Sequence, residues 1–247
     1  MPLRAVPITS LRQLDPSLLR IPVVEALLTR LADDRVRFLV PARGRAGEGT
    51  TDFLNRTFWT SAGDVLASRE APVDVLAHAA WHHVVRAAAP KASVEGALIG
   101  EAIASAFDLY LVGAALRVAP DAELLATQVP RLAEAAADGG MKERAFATVL
   151  KDAARDPERI FGELYALLAD AGLKLARVDD PMLAARVVDT LAARRLGPLL
   201  FHYDVSGWLL HARAHATTRA ADPAARAIDR TIRRAKRPIT ALADALL

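Results

Sequence analysis

Three of the six histidines in this chain lie close together in the sequence and near several carboxylates. His78 and His82 are four residues apart, so on a helix their imidazoles would lie on one face, one turn apart. Glu101 follows His82 after 18 intervening residues and would share a helical face with Ser105 and Asp108. Two histidines from one helix and a carboxylate from the next form a zinc-ligand set that leaves a fourth position open for water. The spacing therefore predicts a mononuclear metal site, with Zn²⁺ as the expected ion.

The stretch from Asp74 to Asp108, about 35 of the 247 residues, resembles the gluzincin metallopeptidases, the thermolysin and aminopeptidase-N class of zinc enzymes. Their pattern is HExxH, then a spacer, then Glu on the following helix. The spacer here has the length of the aminopeptidase-N-like members, and the segment EAIAS at 101–105 looks like their glutamate helix. The resemblance implies that His78, His82 and Glu101 are the metal ligands.

One position departs from that pattern in a way that bears on catalysis. The gluzincin Glu beside the first His is the general base that activates the metal-bound water, and the residue here is Ala79. The resemblance therefore implies a zinc metallopeptidase-like protein that is catalytically impaired or inactive, with no catalytic residue at the general-base position. Either a natural pseudoenzyme or an engineered Glu-to-Ala variant of a working hydrolase fits this sequence. A peptide or a small molecule is the expected ligand.

Several further residues are candidates for orienting the ligands. Asp74 extends the His78/His82 stripe by one turn, and a carboxylate there could orient a metal-bound imidazole. Gluzincins place an Asp four residues after the ligating Glu. This chain has Ser105 at that position, and the nearest carboxylate is Asp108, seven residues on.

The other three histidines are also clustered, in FHYDVSGWLLHARAH at 201–215. His211 and His215 are four residues apart, and His202 precedes them by two to three turns. We predict that at least one of the three faces the metal site, as a fourth ligand or as a hydrogen-bond donor to a bound substrate. The alternative is a polar helix face without a ligand.

Two other classes of protein remain open at this stage. One is an all-α metalloenzyme of the di-iron type, which builds its site from Glu, Asp and His on bundled helices. Against it, no Glu-x-x-His pair occurs in the chain. The other is a metal-free helical binding or scaffold protein in which the histidines are structural.

The amino-acid composition limits which fold classes, metal ligands and binding partners are expected. Apolar residues make up 53% of the chain and aromatics only 5%, and the alanine-rich segments favour helix. The chain has no Cys, so a metal must use His and carboxylate ligands. The 32 basic and 29 acidic residues are too evenly balanced to indicate nucleic-acid binding. We see no 18-residue uncharged apolar run and no apolar N-terminal leader, so we expect no transmembrane segment and a cytoplasmic location.

Pro, Gly and Asp residues mark the starts and ends of successive helical stretches, which predicts a mainly α chain with at most a small sheet in its N-terminal third. A zincin-like two-helix metal core would lie within a helical domain. The expected domains are 1–138, zincin-like with N-terminal helices and a short strand, and 141–247, helical, or a single continuous domain. Arg35–Val40 is the best strand candidate, and 173–178 is a second. The later helices are predicted at 141–154, 157–171, 181–193, 199–218 and 222–236.

The last helical stretch is basic and amphipathic. It carries Arg226, Arg230, Arg233, Arg234, Lys236 and Arg237. Such a face could contact an acidic partner or an anionic surface, or it could simply be solvated.

Overall fold

The computed structural model describes residues 3–42, 64–203 and 205–247, and at positions 201, 211 and 215 it describes the backbone only. Within these residues the chain is mainly α, with two small two-stranded sheets near the N-terminus. The predicted fold class is therefore confirmed. The Gly/Arg-rich segment 41–51, whose sequence predicts a connecting loop, and the segment 52–67, whose sequence fits either a strand or a helix, lie mostly outside the described residues.

The described part of the chain begins with four short strands, with one helix between the second and third of them, and continues as helices. The strands are β1 (Leu3–Pro7), β2 (Arg12–Leu14), β3 (Arg37–Pro41) and β4 (Glu70–Pro72). The helices are α1 (Pro22–Asp33), α2 (Val73–Ala88), α3 (Val94–Val118), α4 (Glu123–Asp138), α5 (Glu143–Arg155), α6 (Pro157–Leu175), α7 (Pro181–Ala192), α8 (Val205–His215), α9 (Pro223–Arg234) and α10 (Pro238–Leu246). Short 3₁₀ turns occupy Ile8–Ser10, Pro16–Arg20 and Gly197–Tyr203.

The two sheets hold the N-terminal segment against the helices. β1 pairs with β3 in antiparallel fashion, with Val6 opposite Phe38 and both side chains buried. β2 pairs with β4 in parallel. The predicted strand at Arg35–Val40 is thus present with slightly shifted ends. Its partners were not predicted, because strands of three to five residues give too little alternation to be recognised.

Two predictions in the C-terminal half are wrong in detail. The segment 173–178 is not a strand, since α6 continues to Leu175 and a turn follows. Leu168, Ala171 and Leu175 recur at helical spacing and are buried, so burial favours helix there. The helix predicted at 199–218 is divided into the 3₁₀ turn and α8. In that turn Leu200 and Tyr203 lie three residues apart, one 3₁₀ turn, and both are buried.

Helix α3 is the centre of the fold. It has 25 residues, is apolar on nearly all sides, and packs against α2, α5, α6, α8 and α9. A helix of this kind belongs in a core. By length and composition α3 could also cross a membrane, but 83% of the window concerned is buried inside the protein, as a core helix requires. The helices that follow the Gly139–Gly140 turn share one hydrophobic core with those that precede it.

Gly113 allows α3 and α5 to approach each other at backbone distance. A Cβ at this position would lie 2.3 Å from the carbonyl oxygen of Ala153. We therefore expect Gly113→Ala to lower the free energy of unfolding by about 1–3 kcal/mol, the usual cost of overpacking, as measured by chemical denaturation.

Gly172→Ala is the matched control on a neighbouring helix. Its Cβ would lie 3.5 Å from Leu98, an ordinary contact. It should leave stability unchanged or raise it by up to about 1 kcal/mol, because Ala favours helix over Gly. Equal stabilities of the two variants would show that the α3–α5 approach is not as close as described.

Candidate metal centre

Helices α2 and α3 position the candidate ligands. α2 begins directly after Pro72, and the short segment 89–93 leads from its end to α3. The Ser93 side chain accepts a hydrogen bond from the backbone N–H of Gly96 and so caps the first turn of α3. The two helices pack against each other. Residues on their facing sides are therefore held on regular backbone rather than on loops.

The structure brings together the three side chains that the spacing predicted. The Nε2 atom of His82 lies 3.1 Å from Oε2 of Glu101, and Nε2 of His78 lies 3.8 Å from Oε1 of the same carboxylate. One ligand atom from each residue falls within 4.8 Å of the others. Around a tetrahedral ion with bonds of about 2.0–2.2 Å, ligand atoms are roughly 3.3–3.6 Å apart. These three residues could therefore hold one metal ion with small adjustments.

Each imidazole has a second carboxylate on its far side. The Nδ1 atom of His78 lies 3.1 Å from Oδ1 of Asp108, and Nδ1 of His82 lies 3.5 Å from Oδ1 of Asp64. Metal-bound histidines almost always have such a partner on the nitrogen that does not bind the metal, because it fixes the tautomer and the orientation of the ring. Both rings thus present Nε2 to Glu101 and Nδ1 to an outer carboxylate.

Asp64 is the residue of this centre that sequence reasoning missed. It lies ahead of β4 and is buried, with a backbone carbonyl that accepts a hydrogen bond from the Leu39 N–H next to a bridge between Leu39 and Val65. Its position next to His82 depends on that long-range pairing. No spacing pattern in the sequence connects the two residues.

The remaining candidates on α2 and α3 have different surroundings. Ser105 Oγ donates to Oε1 of Glu101 at 3.4 Å and so supports the buried carboxylate. Asp74 lines a cleft of about 280 Å³ that Glu123 and Arg131 also border. Burial, with a smaller contribution from the Asp108 charge, raises the pKa of Asp74 to about 6. His83, around the helix from His82, pairs with Asp34 at 2.8 Å.

The second histidine cluster is described only in part. His202 lies on the 3₁₀ turn, where burial lowers its pKa and the charge of Asp108 opposes that effect. The side chains of His211 and His215 lie outside the described part of the structure. Tyr203, which sequence reasoning did not select, has a buried hydroxyl without a hydrogen-bond partner among the described residues, and burial and Asp108 raise its pKa. The charge of Asp108, which also contacts His78, thus acts on both residues of this turn, and the expectation that one of the three histidines faces the metal site stays a prediction.

The electrostatics of the cluster follow from opposite charges that lie close together and are largely buried. Burial works against a charged His82, but Glu101 and Asp64 overcome it and raise the His82 pKa to about 9. Burial likewise works against a charged Glu101, but His82 and His78 together lower the Glu101 pKa. Without a metal, the cluster therefore holds a proton on an imidazole beside an ionised carboxylate.

A small cavity of about 80 Å³ borders one side of the centre. Its lining includes His82 and Gly100 together with Arg86, Lys91 and Gly96. A small ligand there would contact the His82 ring from the side where α2 and α3 meet. The cavity is mostly apolar, with the two cations on its wall.

Comparison of the chain with known protein families, with curated proteins and with solved structures finds no match. The resemblance to gluzincins therefore rests on the residues of α2 and α3 alone. Independently of that resemblance, the structure contains a buried cluster of two imidazoles and one carboxylate that could hold a metal ion.

The metal-free protein should lose stability as the pH rises through the titration of His82. Its pKa is about 9 in the folded state and 6.5 ordinarily, so the stabilisation is fully present below pH 6.5 and disappears as the pH passes about 9. Denaturant titrations with a chelator present, from pH 6 to 10, should show this decline in the parent protein. The decline should be smaller in His82→Gln, because only His78, whose pKa the Asp108 and Glu101 charges also raise, still contributes to it, and it should be unchanged in His83→Gln. The same decline in His82→Gln would contradict the assignment.

Proposed function

We propose that this chain is a mononuclear zinc-binding protein of the metallopeptidase-like type, impaired in peptide hydrolysis, whose ligands are His78, His82 and Glu101. The observation that carries the proposal is the chain of contacts through each imidazole, from an outer carboxylate through the ring to Glu101. A buried histidine pair with no metal role needs no such arrangement at both rings. The arrangement is the usual way of orienting metal-bound imidazoles.

The donor set favours zinc among the common ions. Two imidazole nitrogens and one carboxylate suit Zn²⁺, whereas Mg²⁺ and Ca²⁺ take oxygen ligands, and no thiolate is present in the chain. Three protein ligands leave a fourth position for water or substrate, as in catalytic rather than structural zinc sites. When bound, zinc would supply a Lewis acid that polarises a carbonyl group or acidifies a water molecule.

The residues around the ligands limit what this centre can do. Ala79 is buried, and its methyl group cannot accept a proton from a metal-bound water. Ser105 supports Glu101, and Asp108 and Asp64 are engaged with the imidazoles. The functional conclusion is therefore the binding of metal and of a peptide or small ligand, with peptide hydrolysis slow or absent.

A metal-free role is the second candidate, and one observation favours it. The 3.1 Å contact between His82 and Glu101 is already a buried ion pair when His82 is protonated, so the cluster can satisfy itself without a metal. Such a pair would fix the packing of α2 on α3. For a di-iron centre, the described residues offer a single group of three potential ligands, which is too few for two ions.

Zinc titration of the metal-free protein should show one equivalent bound. We expect His82→Gln and Glu101→Gln to abolish measurable binding, and Asp108→Asn to weaken it by about 10–100-fold, as removal of an outer partner does. His83→Gln, next to the site but paired with Asp34, should bind as the parent does. Binding should release protons and tighten as the pH rises, because His82 must lose its proton. Two equivalents of iron would support the di-iron alternative, and no metal at all would support the metal-free role.

Replacing Ala79 should test the missing base directly. If the centre has the metallopeptidase geometry, Ala79→Glu should raise the hydrolysis of a fluorogenic peptide library by about 10²–10⁴-fold, the usual contribution of a positioned base. Ala79→Gln has the same size without a base and is the control. No gain in the zinc-loaded Ala79→Glu protein, with zinc binding intact, would mean that the centre is not built for peptide hydrolysis.

A further inference from the structure

Four arginines from separate segments surround a second cavity, of about 120 Å³, outside the metal centre. Arg177 follows α6, Arg213 lies on α8, Arg219 lies between α8 and α9, and Arg226 lies on α9. They are not a basic run in the sequence, and only the fold brings them together. Arg226 belongs to the basic C-terminal stretch, so part of that stretch faces this cavity.

Glu95, the one acidic residue among the described residues that line this cavity, does not neutralise the group. Its Oε1 accepts a hydrogen bond from Arg226 at 2.8 Å, and its Oε2 accepts one from the backbone N–H of Asp222 at 2.8 Å. Glu95 therefore holds Arg226 in place and has both oxygens engaged. Four guanidinium groups and one carboxylate leave the lining with a net charge of +3.

The other arginines differ in how they are held. Arg213 is about a quarter exposed and donates through Nη2 to the backbone carbonyls of Ala176 and Val178 at 3.3 and 3.4 Å. The same nitrogen lies 3.3 Å from Oδ1 of Asp179, an exposed carboxylate that does not line the cavity. In residues 3–42, 64–203 and 205–247, the Arg177 and Arg219 side chains make no hydrogen bond or ion pair. The cavity thus has two cations held in place, Arg213 and Arg226, and two cations, Arg177 and Arg219, without a partner among the described residues.

We propose that this cavity binds the phosphate group of a small phosphorylated ligand. Like charges gathered at one cavity repel each other unless an anion is present, and the planar guanidinium fork matches phosphate oxygens in pairs. Leu98 and Leu173 form apolar wall on the same cavity, so the phosphate would be carried on a compact organic group. This site is independent of the zinc proposal.

The test is binding of inorganic phosphate to the full chain, kept metal-free by a chelator so that zinc cannot bind the anion. Calorimetry and thermal unfolding in phosphate, compared with chloride at equal ionic strength, should show saturable binding and a raised Tm. Arg219→Gln should weaken phosphate binding about tenfold or more, because the loss of a hydrogen bond between charged groups typically lowers affinity by at least that factor. Arg213→Gln should do the same, and Arg219→Gln, at an exposed position, keeps the test valid if Arg213→Gln does not fold.

Arg230→Gln is the matched control, because it removes the same charge from an exposed position on α9 outside the cavity. It should bind phosphate as the parent does. Equal weakening in Arg230→Gln and Arg219→Gln, or equal effects of phosphate and chloride on the parent, would overturn the proposal.

Vesicles of phosphatidylcholine with phosphatidic acid distinguish the two sources of a phosphate group. Sedimentation with the vesicles that is lost in Arg219→Gln and kept in Arg230→Gln would assign the site to a lipid headgroup. Phosphate binding without sedimentation would assign it to a soluble ligand. If the parent protein does not bind phosphate, and Arg219→Gln sediments with the vesicles as well as the parent does, the cavity is not a phosphate site.

Discussion

The ionised carboxylate of Glu101, with no exposed surface on the longest of the described helices, is the constraint on which the centre of this structure depends. A charge removed from water is costly unless it is paired and hydrogen-bonded. Two imidazoles and the Ser105 hydroxyl surround it, and two outer carboxylates then orient those imidazoles. All of these groups except Asp108, whose side chain is about one-third exposed, are buried or nearly so, and the charge on each is compensated by its neighbour.

This constraint explains why helix α3 can be both the core and the carrier of the site. Apolar side chains on its other faces pack against α5, α6, α8 and α9, and α2 covers the face that holds Glu101. A carboxylate on an outer helix would be solvated and would hold its partners loosely. In the core, the regular backbone of two packed helices fixes the ligand atoms to within a few ångströms of one another.

The sequence predicts the parts of the site that depend on helical geometry alone. His78 and His82 share a face because they are four residues apart, and Glu101 meets them because the segment between α2 and α3 is short. Asp108 follows from the same periodicity. Asp64 could not be predicted in this way, because its place beside His82 depends on a bridge between Leu39 and Val65 that no local pattern indicates. Asp74, which the stripe also selects, lines a separate cleft, since position on a face does not decide which neighbour a side chain meets.

In the proposed centre, a metal ion would compete with a proton for the position between His82 and Glu101. A proton on His82 stabilises the fold, because the imidazolium then forms an ion pair with the ionised Glu101. A metal ion would displace that proton and supply the positive charge itself. The outer carboxylates favour either occupant, since negative charge at Nδ1 stabilises an imidazolium and also strengthens an imidazole as a ligand. The same contacts therefore serve packing and binding together. If the proposed centre binds a metal, the protonated pair of His82 and Glu101 would compensate the buried charge in its absence, so that metal availability would govern occupancy and not the fold.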